Sequence, residues 1–246
     1  MTGSAPTPPE LVDWYASLGI ELHDIYAMTE NAAVSHCVRP GRRRSGWAGT
    51  PLPGVVCRIS SESEILLKSP GTMLGYYKAD LLTREAIDAD GFLRTGDRGE
   101  VDAEGRIRVS GRVKEQFKTS KGKYVAPAPI ETRLLAHAEL EQACVAGVNM
   151  AQPIALVVLA EHLRAAPAGS PRREALTRQL QDQLAALNSE LDPHEQLEKL
   201  VVMSEEWTVD NGLLTPTMKL KRSAIEARYS NLVSGWYSGA GRVVWA

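Results

Sequence analysis

Glu30 follows Thr29 at the end of a short run that reads as a strand. A carboxylate beside a hydroxyl suits a magnesium nucleotide, because the acid takes the metal and the hydroxyl donates to a phosphate oxygen. The same pair also suits a solvated turn. Asp97 lies after Gly96 in what reads as a glycine turn. One carboxylate there can accept two hydrogen bonds from the hydroxyls of a ribose, or it can close an Asx turn on its own backbone. Lys219 sits in the loop Pro216-Thr217-Met218-Lys219, followed by further basic residues. A lone flexible ammonium stabilises charge as a carboxylate attacks a phosphate, and it is equally what a surface lysine looks like.

Other patterns point away from chemistry. Ser120-Lys121-Gly122-Lys123 has the serine-x-x-lysine spacing of penicillin-recognising enzymes without the companion motifs. As a Walker loop it fails too, with Phe117 in place of the first glycine and Tyr124 in place of the metal-binding hydroxyl. The five histidines are scattered, and none pairs at metal spacing on a helix. The three cysteines, Cys37, Cys57 and Cys144, match neither a zinc site nor a redox pair. A net charge of -2 gives no bulk attraction to nucleic acid, and Arg42, Arg43 and Arg44 read as a solvated loop. The first nine residues lack the charged start and apolar stretch of a signal peptide. The longest apolar run, Ile154 to Ala160, is too short to span a bilayer. The cysteine pattern suits a reducing cytoplasm, and a cytoplasmic location is expected, with attachment at a membrane surface as the variant.

The elements that must position these residues can be read from period and punctuation. Thr7-Pro8-Pro9-Glu10 has capping-box spacing, and Leu11, Trp14, Tyr15 and Leu18 recur at helical intervals before Gly19. Ile20 to Tyr26 reads as a strand, and a lone helix-to-strand step needs neighbouring strands to bury it. Short β-type runs follow at Val55 to Ile59, Ile65 to Lys68 and Ile107 to Val109, separated by glycine turns, which suggests a small barrel or meander. A brief helix fits Asp80 to Ile87. Beyond a lysine-rich loop, Lys114 to Lys123, the pattern predicts a helix near Pro129 to His137 and strands at Cys144 to Val148, Ile154 to Ala160 and Leu200 to Met203. Leu176, Leu180, Leu184, Leu187 and Leu191 keep the spacing of a buried stripe, predicting a long helix from Arg172 to Glu190. A terminal helix is expected over Arg222 to Tyr229.

Four segments occur in a fixed order: Tyr26-Ala27-Met28-Thr29-Glu30, Thr95-Gly96-Asp97, Gly111-Arg112 through Glu131, and Pro216-Thr217-Met218-Lys219-Leu220-Lys221-Arg222. Together they resemble the later core motifs of the adenylate-forming superfamily, which includes acyl-CoA synthetases, peptide-synthetase adenylation domains and luciferases. Phe117-Lys118-Thr119-Ser120-Lys121-Gly122-Lys123-Tyr124-Val125-Ala126-Pro127 is similar to the long-chain and very-long-chain acyl-CoA synthetase branch. Glu64-Ile65-Leu66-Leu67-Lys68-Ser69-Pro70-Gly71 matches a scaffold segment of the family. Ala27 and Ser63 stand where glycine is usual.

The resemblance implies that the Tyr26 ring packs by the adenine, that Glu30 binds Mg2+ with Thr29 beside it, and that Asp97 takes the ribose. It further implies that Arg112 contacts the nucleotide, Lys114 is a hinge, and Lys219 is the catalytic lysine of adenylation, with Arg222 three residues on at the family spacing. Gly122 would let the pantetheine arm of coenzyme A pass close to backbone, and Lys121 and Lys123 would meet its phosphates. Fatty acid, ATP and CoA are the implied substrates, and adenylate then thioester the implied reactions. No serine-, threonine- and glycine-rich phosphate loop precedes Tyr26. The expectation is therefore an α+β protein: residues 1–44 as the remnant helix and strand of a large N-terminal α/β domain, a β-barrel-like subdomain over 45–111, a hinge at 112–114 and a mobile C-terminal α+β domain over 115–246. Such a chain is expected to be inactive alone. Two other readings stay open: a non-catalytic regulatory or split-enzyme module, and a fatty acyl-AMP ligase that hands the acyl group to a carrier protein.

Overall fold

The computed structural model describes residues 1–3 and 7–246, with the side chain of Glu10 outside that set. The chain divides into two compact units, Met1–Lys114 and Glu115–Ala246.

The first unit opens with helix α1, Pro9–Ser17, whose first turn suits proline because its missing N–H would have no partner there. The expected capping box is not made by Thr7. Its hydroxyl donates to Asp24 Oδ1 at 2.8 Å, and the Glu10 half of the box lies outside the described residues. Val12 of α1 is buried, whereas Leu11, Trp14 and Leu18 are exposed. Three two-residue strands, β1 Ile25–Tyr26, β2 His36–Cys37 and β3 Thr50–Pro51, form a small antiparallel sheet. The expected strand over Ile20 to Tyr26 is thus confined to its last two residues. Gly49 makes the sheet possible: it sits at φ 77°, and a Cβ there would lie 2.1 Å from the Cys37 carbonyl carbon.

An antiparallel meander follows, β4 Val56–Ile59, β5 Glu64–Lys68, β6 Leu93–Val101 and β7 Ile107–Arg112, with helix α2 Asp80–Ala86 between its second and third strands. Of the barrel-or-meander expectation the meander is what forms, a four-stranded sheet that does not close. Ile65, Leu67, Leu93 and Ile107 are buried in it. Asp97 corrects the sequence reading, for it lies within β6 and not in a turn between strands. Gly96 at φ 70° and a register shift between Arg98 and Gly99 interrupt the alternation that would have marked the strand.

The second unit is built on the sheet β10 Leu140–Ala146, β11 Ile154–Leu159, β12 Lys199–Val202 and β13 Val243–Trp245, in that order. The first pair is antiparallel and the others parallel. Every residue of β11 is buried, as a strand covered on both faces requires. One core gathers Ile130 and Leu134 of helix α3, Pro127–Leu134, with Leu176, Leu180, Leu184 and Leu187 of helix α5, Pro171–Glu190. The other contains Trp207, Leu213, Leu214, and Ile225 and Tyr229 of helix α6. That helix spans Arg222–Ser238, nine residues beyond its expected end at Tyr229. Strands β8 Phe117–Lys118 and β9 Tyr124–Val125 form a hairpin, and α4 is the short helix Glu161–Arg164. The strand expected to begin at Cys144 begins at Leu140, and β13 was not foreseen.

Candidate functional site

In the first unit the meander and the small sheet bring three residues to one point. Asp97 and Arg112 face each other across the β6–β7 ladder, and Arg112 Nη1 lies 3.2 Å from Asp97 Oδ1. The Tyr26 phenol, from the other sheet, donates to Asp97 Oδ2 at 2.7 Å. Arg112 Nη1 also donates to the Thr95 carbonyl at 3.0 Å. A Cβ at Gly96 would sit 3.3 Å from that nitrogen, so the missing side chain leaves room for the guanidinium. The Thr95 hydroxyl donates to the Ile65 carbonyl at 2.7 Å and accepts from the Asp97 N–H at 3.0 Å, which locks the strand under the carboxylate. Hydrogen bonds to an ionised acid are short and strong, so this cluster holds both ends of one carboxylate. Burial, and next the Asp97 charge, push the Tyr26 phenol far above its ordinary pKa, which keeps it a donor.

Glu30 lies in a 3₁₀ turn, Thr29–Asn31, two residues beyond β1 and not at the strand end itself. Its Oε1 accepts from the Tyr76 phenol at 3.0 Å, and its carbonyl accepts from Met73 N–H at 2.7 Å. Thr29 is exposed. Among the described residues no three histidine, cysteine or acidic side chains form a metal-holding group. One carboxylate still fits magnesium, since that ion takes one or two protein carboxylates and completes its shell with water and substrate phosphates. Ala27, where the family has glycine, has no positive φ and thus no backbone strain, whereas Ser63 sits at φ 62°.

His36 is a neighbour of this cluster that scattered spacing could not reveal. It is fully buried, its ring centroid lies 6.1 Å from that of Tyr26, and its Nδ1 is hydrogen-bonded with Ser35 Oγ at 2.7 Å. Burial holds its pKa down at about 4. It therefore backs the Tyr26 ring as a neutral imidazole.

In the second unit Lys121, Gly122 and Lys123 occupy the tip of the β8–β9 hairpin. Gly122 takes φ 78°, and its N–H donates to the Thr119 carbonyl at 2.9 Å, closing the turn. Lys121 Nζ donates to Gln152 Oε1 at 3.4 Å, and Lys123 is exposed. Lys219 is exposed beyond a tight turn in which Met218 N–H donates to the Thr215 carbonyl at 2.8 Å and Lys219 N–H donates to Thr215 Oγ1 at 3.0 Å. Lys114 is exposed and is the last residue of the first unit.

Comparison with known proteins gives this arrangement a lineage. The family model for the AMP-binding enzyme C-terminal domain matches residues 114–241, and that for the AMP-binding enzyme matches residues 1–77. The Mycobacterium tuberculosis protein fadD11, named as a fatty-acid–CoA ligase, is 32% identical over 97% of this chain and 44% of its own length. Long-chain-fatty-acid–CoA ligase 6 of Rattus norvegicus is 29% identical over 97% of this chain and 38% of its own. The chain thus spans less than half the length of these relatives. Among solved structures, the adenylation domain of a carboxylate reductase from Mycobacterium chelonae superposes with a TM-score of 0.78 at 27% identity, over 96% of this chain and 38% of that one. The corresponding domain from Segniliparus rugosus, in complex with AMP, gives 0.77 at 26%, again over 96% and 38%. The chain belongs to the AMP-binding, adenylate-forming enzyme family, and it carries the C-terminal domain of that family behind a segment of the main enzyme domain.

Proposed function

We propose that this chain serves as the C-terminal portion of an ATP-dependent fatty acid–CoA ligase. The observation that supports this best is the Tyr26–Asp97–Arg112 cluster, in which one carboxylate is held from both sides in a form able to receive ribose hydroxyls. In this reading the Tyr26 ring borders the adenine and Arg112 meets the nucleotide. Glu30, with Thr29 beside it, contributes one carboxylate to the Mg2+ carried by the phosphates. The metal would supply charge neutralisation at the pyrophosphate leaving group. Lys219 brings an exposed ammonium to the charge that builds as the fatty acid carboxylate attacks phosphorus. The CoA thiol then attacks the adenylate carbonyl and expels AMP. Gly122 lets the pantetheine arm approach the hairpin, and Lys121 and Lys123 face its phosphates. Lys114, between the two units, is the residue about which the domain turns from one half-reaction to the next.

Between residues 1 and 26 there is no phosphate loop, so three or four side chains alone would have to position ATP, which falls short of catalytic tolerance. The chain by itself is therefore expected not to turn over, and to gain activity when joined to the N-terminal portion of a related ligase. Pyrophosphate release from fatty acid, ATP and Mg2+, measured with and without that portion, tests this. Robust release by the 246-residue chain alone would refute the inactivity. Retained adenylation after Lys219→Ala in an active preparation would refute the role of the lysine.

A second reading is favoured by three of the solved relatives, which are carboxylate reductase adenylation domains, one of them determined joined to its carrier-protein domain. There the acyl group would pass to a carrier. Dependence of adenylate consumption on CoA separates the two.

A further inference from the structure

Arg222, the first residue of α6, is held by an ion pair that the adenylation reading leaves unused. Its Nη2 donates to both carboxylate oxygens of Glu131 on α3, each at 2.8 Å. Its Nη1 donates to the Val145 carbonyl of β10 at 2.9 Å, and Val145 N–H donates to Glu131 Oε1 at 2.7 Å. Both side chains are nearly enclosed, at 11% and 10% exposure. Among the described residues Arg222 Nε has no hydrogen-bond partner, and Glu115 Oε2 stands 4.0 Å from it, so the guanidinium lies between two carboxylates.

Such a pair is a costly way to hold helices together, because desolvating both charges offsets much of their attraction. Nor is it needed for cohesion here, since Ile130 and Leu134 of α3 and Ile225 and Tyr229 of α6 are already in apolar cores. What the guanidinium adds, with Nη2 on the Glu131 carboxylate and Nη1 on the Val145 carbonyl at once, is a fixed orientation. The element it orients is the loop bearing Lys219. One foot of that loop is Leu213 and Leu214, buried, with Lys221 N–H donating to the Leu213 carbonyl at 2.9 Å. The other foot is the start of α6, where Lys221 makes no side-chain cap and Arg222 is the side chain that fixes the first turn ahead of the buried Ile225. Lys219 stands exposed between the two.

We propose that Glu131 is a positioning residue for Lys219, acting through Arg222. The inference rests on the reading of Lys219 as the adenylation lysine. Glu131→Gln keeps the shape and leaves Glu115 to balance the arginine, but it removes the charge and one of the two acceptor oxygens that grip Nη2.

Backbone hydrogen exchange on the full chain reads the anchor directly. In Glu131→Gln the amides of Met218, Lys219 and Lys221 should exchange about tenfold faster while those of β11 and β12 keep their protection. A double variant, Glu131→Leu with Arg222→Met, should restore packing without orientation, so that it stays folded with the same loosened loop. An unchanged loop in Glu131→Gln, or equal loosening throughout the unit, would overturn the proposal. In a preparation that forms adenylate, Glu131→Gln should lower kcat for adenylation about tenfold with KM for ATP little changed. A loss confined to KM, or no loss, would also overturn it. Full adenylation by Lys219→Ala in that preparation would instead sink the reading of the lysine, while the exchange result would still decide the anchor.

Discussion

Ser63 holds a left-handed backbone at φ 62°, in the turn that leads into β5. A side chain there crowds the following carbonyl, and glycine removes that crowding. Its hydroxyl accepts from Arg98 Nη2 at 3.3 Å, a long bond whose loss costs little. Ser63→Gly should therefore raise stability, by about 0.5–1 kcal/mol in urea unfolding, because relief of strain exceeds the added freedom of the unfolded chain. His36 yields a pH prediction of definite sign. Its folded pKa of about 4 lies below the 6.5 of the free side chain. Between those values the unfolded chain binds the extra proton, so stability is intact above 6.5 and falls as pH drops toward 4, by up to about 3 kcal/mol. Carboxylates also titrate toward pH 4, so the measurement is the difference in urea midpoint between wild type and His36→Gln at pH 7 and pH 5. The variant should show the shallower loss of stability on acidification, and parallel curves would refute the assignment. Neither residue announced itself: a serine in place of glycine is visible only against a family pattern, and one histidine among five carries no sign of burial.

Elements with a strong period were legible, and those held by tertiary contact were not. The leucine stripe of α5 placed that helix to within one residue at its start, because each leucine meets the same core. Strand β6 was missed since Arg94, Gly96, Asp97, Arg98 and Gly99 offer no alternation, yet it carries the carboxylate on which the nucleotide reading depends. Of the sheet β1-β2-β3 only β1 fell within an expected strand, while β2 and β3, two residues each and held in place by Gly49, were beyond periodicity. Gly49→Ala tests that dependence. The new methyl would collide with Cys37 backbone and demand a left-handed alanine, two costs that together exceed about 3 kcal/mol. The sheet should separate, with loss of amide protection at Tyr26 and His36, while Gly122→Ala, strained but with only a flexible lysine carbon 3.8 Å away, should cost about 1 kcal/mol. Equal effects of the two substitutions would show that close approach is not what Gly49 provides. The Glu131–Arg222 pair lay between these extremes: both residues stood in recognised motifs, but 91 residues of separation hid that they touch.

At the scale of the whole chain, the division at Lys114 separates two cores of unequal size. The meander's inner cluster has three fully enclosed side chains, Ile65, Leu67 and Ile107, whereas the second unit packs two clusters against its sheet with α3, α5 and α6. Stability grows with apolar area removed from water, and distinct cores need not unfold together. Calorimetry of the chain should accordingly resolve two transitions, the lower belonging to residues 1–114 and the upper to 115–246. Leu184→Ala supplies the assignment, because this side chain has no exposed surface and its truncation leaves a cavity that costs about 2–5 kcal/mol. It should lower the upper transition and leave the lower one in place, while Gly49→Ala should do the reverse. A single transition displaced by both substitutions would mean that the units fold as one cooperative body, which would count against Lys114 as a point of rotation.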